Sequence, residues 1–194
     1  NQFEKAKPIY MEWKDKPYEQ DDNYLDCTDR FLSDFNALAK AGITHPEVTD
    51  LKLELSDVDY LLALELITFE ELVTLNNTEH LLTAADYYQE QANDTDKSNA
   101  EKVLAEEHRV VLLEKIRTLE PDNQTNIASL GTTYAWLSWY LLHEQKFDKA
   151  LEATQKAIQF NPEVDWVHRM EVSAYLYLDN FCRILKLFCD ILML

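Results

Sequence analysis

Apolar side chains recur along this chain at the spacing of an α-helix, with about 3.6 residues per turn. The first stripe predicts a helix over about 26–40 and is formed by Phe31, Leu32, Phe35, Leu38 and Ala39. The same periodicity predicts helices over about 78–92, 97–119, 124–143, 147–160 and from about 164 to the end. The last of these can break near Asp179 and Asn180, which are polar. The chain is therefore predicted to be all-α.

A further run is apolar on much of its circumference and follows Ser56 and Asp57, which resemble a helix N-terminus. Its apolar residues are Leu61, Leu62, Leu64, Leu66, Ile67, Phe69, Leu72 and Val73. A helix of this kind is usually central in a core, so the run predicts one central helix from about 58 to 73. The preceding segment 51–55 alternates like a strand, but no partner strand is evident, and we predict helix or loop there.

The composition agrees with a helical fold. Only two glycines occur, Gly42 and Gly131, and neither follows Asn or Asp. Tight β-hairpins usually need Asn-Gly, Asp-Gly or another glycine pair at their turns. A protein rich in β-hairpins is therefore not expected.

The formal net charge is −18, which bears on the class of partner. Nucleic acids and anionic membranes are bound mainly through Lys and Arg, so neither is an expected partner. The acidity can steer a basic partner toward the protein. The alternative is that it only keeps a helical surface in solution.

The cysteines and the hydropathy bear on the compartment. Three cysteines, Cys27, Cys182 and Cys189, do not suggest a secreted disulfide framework. No signal peptide and no apolar run of about 18 residues is visible, so no membrane span is predicted. The chain begins at Asn1, which indicates a fragment, a processed form or a trimmed chain. A cytoplasmic location is the expectation.

Residues 131–162 carry the spacing of a helix–turn–helix repeat. Small side chains let two helix axes approach, and larger ones fill the gaps between ridges. The positions are Tyr134, Leu137, Ser138, Leu141, Phe147, Ala150, Ala157 and Pro162. On these residues the stretch resembles a tetratricopeptide repeat (TPR), although Thr154 stands where that family usually has a large apolar side chain.

Degenerate copies of the same pattern flank this repeat. Leu81, Ala84, Ala85 and Tyr88 give the first-helix spacing upstream, and Ala174, Tyr175 and Phe181 give it downstream. We therefore divide the chain into an N-terminal arm and helical extension, 1–77, and a TPR-like repeat region, 78–194. The resemblance implies antiparallel helix pairs stacked as a short right-handed superhelix.

The resemblance also implies where a partner binds. In this family the first helices of the repeats line a concave face that usually receives a peptide or a helix. The corresponding positions here are Glu79, Leu82, Thr83, Asp86, Gln89 and Glu90, then Thr132, Ala135, Trp136, Trp139, Leu142 and His143, then Trp166, Arg169, Met170, Ser173, Leu176 and Tyr177. The candidate partner-binding residues are Trp136, Trp139, His143, Trp166, Arg169, Met170 and Tyr177, types that include those enriched in interface cores.

Other readings of these aromatic residues stay open. The N-terminal arm, the 97–119 helix or a second copy of the chain can cover them. The apolar stretch 181–194 can be a homo-oligomer contact or the surface on which a further repeat docks. The clear repeat lacks Lys, Arg and Asn at its concave positions, so a clamp for a C-terminal carboxylate is not expected.

No pattern typical of an active site is present. With two glycines there is no phosphate-binding loop and no nucleophile elbow, and no H-E-x-x-H or C-x-x-C motif occurs. The charged run from Glu106 to Arg109 is interpreted as a solvated helix face, and the pair Asp165 and His168 as a helix-start acid beside an exposed imidazole. We expect no catalytic residues, no metal and no cofactor.

The sequence thus predicts a non-catalytic protein-interaction module that binds a peptide or helix of a partner protein in an aromatic and apolar concave groove. A small acidic TPR chaperone is a narrower version. A regulatory or sensor fragment of a larger multidomain protein is the alternative, and an enzyme built on a helical array is a third.

Overall fold

The computed structural model describes residues 56–163 and 165–192, with side chains as far as Asp179, and a few isolated residues between 37 and 53. The predicted helix over 26–40 and the side chains of 181–194 lie outside this part. Lys52 and Leu53, in the segment with alternating hydropathy, are helical. The chain forms two compact units, Asn1–Leu55 and Ser56–Leu194, and the second holds all of the predicted repeat region.

Every regular element in the described part of the second unit is an α-helix, so the predicted all-α class is confirmed there. In chain order the helices are α1 (Val58–Ala63), α2 (Phe69–Thr74), α3 (Thr78–Asn93), α4 (Asn99–Leu119), α5 (Gln124–His143), α6 (Phe147–Phe160) and α7 (Asp165–Leu192). The bounds of α3 to α6 agree with the predicted ones to within two residues, which is the usual uncertainty of a helix end.

Polar caps explain why these helices begin where they do. The Asn77 side chain accepts from two backbone N–H groups of the first turn of α3. Ser98 forms a capping box with Glu101 at the start of α4, and Asn123 caps α5. Each cap satisfies N–H donors that have no partner within the helix.

The predicted single helix over 58–73 is wrong, because the chain forms two short helices there. After α1, Glu65 adopts a positive φ of 55°, a conformation that an α-helix does not contain. Thr68 then starts α2 with a capping box, in which Glu71 N donates to Thr68 Oγ1 at 3.2 Å and Thr68 N donates to Glu71 Oε2 at 2.8 Å. The T-x-x-E spacing of this box is a start signal within the apolar run, and the periodicity alone does not reveal it.

The break suggested near Asp179 does not occur either. Helix α7 is continuous from Asp165 to Leu192. Asp and Asn are poor but tolerated helix residues, and two of them do not by themselves end a helix. The last helix is therefore the longest in the described chain.

Successive helices pack against each other from α3 to α7, and α1 and α2 contact α3 and α4. Helices α1 and α2 fall within the predicted N-terminal extension, 1–77, and they lie in the same compact unit as α3 to α7. The core between these helices contains Leu61, Leu72, Leu81, Leu112, Ile116 and Leu130, all fully buried.

The α5–α6 pair carries the residues on which the repeat resemblance rests. Tyr134, Leu137, Ser138, Leu141, Ala150 and Ala157 are all buried. Thr154, the position that departs from the family pattern, is fully buried and donates to the Ala150 carbonyl at 2.8 Å. Its oxygen lies 2.5 Å from Ser138 Oγ, so the two hydroxyls pair across the helix crossing. The hydroxyl of Thr154 is therefore matched to Ser138.

This pairing predicts a strong energetic coupling. Thr154→Val leaves the buried Ser138 hydroxyl without its partner, and we expect a loss of about 1–3 kcal/mol of unfolding free energy. Ser138→Ala/Thr154→Val removes both polar groups and should cost less than the sum of the two single variants. Urea unfolding of the parent and the three variants measures the coupling. Additive losses would show that the hydroxyls do not interact.

Gly131 allows the closest approach between α5 and the end of α6. A Cβ atom at this position would lie 2.6 Å from the Cβ atom of Asn161 and 2.9 Å from its backbone nitrogen. Those distances are far below van der Waals contact, so glycine is needed here for close packing.

Candidate interaction surface

Two tryptophans of α5 lie at the surface. Trp136 is 41% exposed and Trp139 is 37% exposed, while Leu137 and Ser138 between them are buried. The difference follows from helical geometry, because neighbouring residues point about 100° apart around the axis. The α5 face that carries the two indoles is thus partly exposed to solvent, whereas the face that carries Leu137 and Ser138 packs in the core.

Helices α5 and α7 meet through aromatic contacts on this side. The rings of Trp136 and Trp166 have centroids 5.2 Å apart, and Trp136 also lies 6.2 Å from Tyr140. Trp139 contacts His143 edge-on at 4.5 Å. Four of the predicted residues, Trp136, Trp139, His143 and Trp166, therefore form two adjacent ring pairs.

The remaining predicted residues lie on α7. Arg169 is exposed and Met170 is half-buried. Tyr177 stacks on Phe147, the first residue of α6, with ring centroids 4.8 Å apart. Its ring remains 54% exposed. Tyr177 thus also helps to hold α7 against α6, and no ring contact joins it to the tryptophans among the described side chains.

Helix α3 runs alongside α5 in the same direction. Near their beginnings, Thr78 at the start of α3 lies close to Glu120, which precedes α5. Their ends are joined by Tyr140, whose hydroxyl donates to the Ala92 carbonyl at 3.2 Å. Helices α3, α5 and α7 therefore pack mainly against α4 and α6, and side-chain contacts join α3 to α5 and α5 to α7.

A shallow, open groove of about 610 Å³ runs along the first turns of α5 and is bordered by α3 and α4. Its lining residues are Gln89 on α3, Arg109 on α4, and Gln124, Thr125, Ala128, Ser129 and Thr132 on α5. The α5 residues recur at helical spacing, and one more turn from Thr132 leads to Trp136. The groove and the exposed indoles thus follow the same face of α5.

Sequence reasoning missed the contribution of α4 to this groove. The prediction that the run from Glu106 to Arg109 is a solvated helix face is wrong for its two ends. Glu106 is 2% exposed and Arg109 is 6% exposed. The helical stripe of α4 is broad enough to bury one edge of the charged run between α3 and α5. The buried charges could not be recognised from a charge pattern that looks ordinary for a surface helix.

Arg109 is held by polar groups on two helices. Its Nη2 atom donates to Gln89 Oε1 at 2.6 Å, and Nη1 lies 3.9 Å from Glu106 Oε2. Burial lowers the pKa of the guanidinium, and the negative charges of Glu106 and Asp86 oppose that shift. Burial raises the pKa of Glu106 to about 7, with Arg109 opposing the rise. The charge of Arg109 is thus opposed by Asp86 and, once it is ionised, by Glu106.

The walls of the groove differ in charge. Helix α3 carries Glu79, Asp86 and Glu90 and has no Lys or Arg, and all three carboxylates are exposed. Helix α5 contains no Asp, Glu, Lys or Arg from Gln124 to His143. The exposed carboxylates of α3 therefore stand beside the groove, while its described lining is uncharged apart from Arg109.

The described residues contain no group of three or more His, Cys, Asp and Glu side chains that could hold a metal ion. Within the same ranges, no helix combines the length and the apolar character that a membrane crossing requires. Comparison of the chain with protein-family models, curated proteins and solved structures finds no match.

Proposed function

We propose that this protein is a non-catalytic interaction module of tetratricopeptide-like architecture, which binds a segment of a partner protein on the face formed by α3, α5 and α7. The observation that carries the proposal is the exposure of Trp136 and Trp139 beside the groove. Large aromatic side chains left half in water at a concave surface are typical of binding sites.

The packing supports the repeat architecture. Every second helix contributes to one face, as the TPR resemblance implies for the first helices of successive repeats. The small residues at the α5–α6 crossing are buried, and Gly131 permits the close approach of the two helices. A stack of helix pairs of this kind presents an extended face on one side.

The chemistry of binding is the burial of the indoles. Tryptophan is the residue type most often found to dominate interface energies, because its large rigid surface is removed from water at little entropic cost. Trp136 and Trp166 contact each other, so a partner side chain that covers one indole also covers its neighbour. His143, Arg169 and Met170 would form the polar and flexible edge of the same surface.

Loss of the two indoles is the direct test. Peptides are selected from a display library on the full chain, and their affinities are measured for Trp136→Ala/Trp139→Ala. We expect affinity to fall by about 100-fold or more, because each hot-spot tryptophan contributes roughly 2 kcal/mol or more. Circular dichroism and thermal unfolding establish that the variant is folded.

Leu104→Ala/Val111→Ala is the matched control. These side chains are 53% and 41% exposed on α4, so their removal deletes a similar apolar surface elsewhere. The control should bind the selected peptides as the parent does. Equal affinities of the selected peptides for the parent and the tryptophan variant would show that the groove is not the binding site.

A further inference from the structure

The charge difference between the two walls suggests the chemistry of the occupant. Asp86 and Glu90 neighbour Gln89, which lines the groove, and both lie on the same side of it around the α3 axis. Asp86 also interacts with Arg109 in the groove. Both carboxylates are exposed. A ligand in the groove would therefore meet Arg109 in the lining and the carboxylates of Asp86 and Glu90 at the exposed edge of α3, with no charged side chain on α5.

The buried cation does not reverse this polarity. Arg109 is only 6% exposed, and it is bound by Gln89 and faces Glu106 and Asp86. The α7 side adds Arg169, which is exposed, next to the half-buried Met170 and Glu171. The excess negative charge of the surface thus lies on its α3 edge.

Resting on the proposed function, we propose that the occupant is a basic amphipathic segment of another protein, whose apolar side chains cover Trp136 and Trp139 and whose Lys and Arg side chains lie along Asp86 and Glu90. The charges are complementary, and a basic side chain over an indole face adds a cation–π attraction. A second copy of this chain, with a net charge of −18, is a poor occupant by the same reasoning.

The small α5 residues set the fit. Ala128, Ser129 and Thr132 have short side chains, so the backbone of the occupant can approach α5 closely before it reaches the indoles. Helix α5 has 20 residues and is about 30 Å long. A helical segment of similar length can contact the small-residue stretch and the indoles together.

The probes are two synthetic helical peptides of about 18 residues, chosen to match the length of α5 at 1.5 Å per residue. One is composed of Leu and Lys, and the other has Glu in place of every Lys. Titration calorimetry with the full chain measures both. We expect the Leu/Lys peptide to bind the parent with an affinity that falls as salt is added, and the Leu/Glu peptide not to bind.

Charge variants separate a specific contact from general attraction. Asp86→Asn/Glu90→Gln should weaken Leu/Lys binding by about tenfold. Asp148→Asn/Glu152→Gln removes the same charge from exposed positions of α6 and should have little effect. Asp86→Lys/Glu90→Lys should lose the Leu/Lys peptide and bind the Leu/Glu peptide instead.

The outcomes distinguish the two proposals. If Trp136→Ala/Trp139→Ala abolishes Leu/Lys binding but the α3 variants act like the α6 control, the proposed binding site is supported. The proposal that its occupant is basic is then wrong. If neither set matters, the peptide binds elsewhere and both proposals fail on this face. Failure of the Leu/Lys peptide to bind the parent overturns the basic occupant. Sedimentation that shows a dimer dissociated by the tryptophan variant would assign the face to a second copy.

Discussion

As the pH rises from about 5 to about 8, the ionisation of Glu106 should by itself lower the free energy of unfolding by about 2–3 kcal/mol. The side chain is 2% exposed, and burial raises its pKa from 4.5 to about 7. Its nearest cation, Arg109, is 3.9 Å away, and Glu106 Oε2 has no hydrogen-bond partner among the described residues. The pair is therefore too loose to offset the cost of burying the charge.

The sign follows from proton binding. Between the ordinary pKa and the raised one, the folded state holds a proton on Glu106 that the unfolded chain has released. The stability from this proton is fully present below about pH 4.5 and is lost as the pH rises through about 7. The folded protein should thus be more stable in mild acid than its many carboxylates suggest.

Glu106→Gln is the variant that tests this. A neutral amide of similar shape should raise stability near pH 8 and flatten the pH profile by about 2–3 kcal/mol relative to the parent. Urea unfolding at several pH values measures both effects. Glu152→Gln, at an exposed position of α6, controls for the loss of one negative charge. A parent profile identical to that of Glu106→Gln would show that Glu106 is ionised without cost in the folded state.

Gly131→Ala should destabilise the protein by about 1–3 kcal/mol, although alanine is the better helix former. At an exposed helical site the same change gains up to about 1 kcal/mol. Here the added methyl group would meet the Cβ atom and the backbone nitrogen of Asn161 at 2.6 and 2.9 Å. Because the end of α6 must shift to relieve this overlap, the cost of the poorer packing should exceed the gain in helix propensity.

The thermal midpoint of Gly131→Ala measures the loss of stability. Two further variants test whether the overlap with Asn161 causes that loss. Gly131→Ala/Asn161→Gly removes the closer of the two contacts and should recover part of the stability. Thr132→Ala, one residue along α5, introduces alanine without the overlap and should lose little. A midpoint for Gly131→Ala at or above that of the parent would show that α5 and α6 do not approach as closely as described.

The helices of the repeat region could be predicted because local signals and the apolar periodicity agree. Asn77, Ser98 and Asn123 are strong caps, and each precedes a clear stripe. The region before them could not be predicted as well. The apolar pattern continues across the break between α1 and α2, so it does not reveal the break. The turn at Glu65, followed by the Thr68 cap, divides one expected helix into two.

The candidate surface was predictable only in part. The repeat resemblance predicts that Trp136 and Trp139 lie on a concave surface, and both are exposed in the structure. Arg109 and Glu106 were missed, because a helix shows which residues share a face but not which neighbouring helix covers that face. The groove depends on α3, α4 and α5 together, and no local pattern contains that information.

The arrangement of the tryptophans has a practical optical consequence. Of the four in the chain, Trp136, Trp139 and Trp166 belong to one surface, and Trp13 lies outside the described residues. Ultraviolet emission from the repeat region therefore originates where a ligand would dock, and not in the interior between the helices. With Trp13 replaced by phenylalanine, the emission wavelength of the remaining tryptophans would report the solvent exposure of this surface without an attached fluorophore.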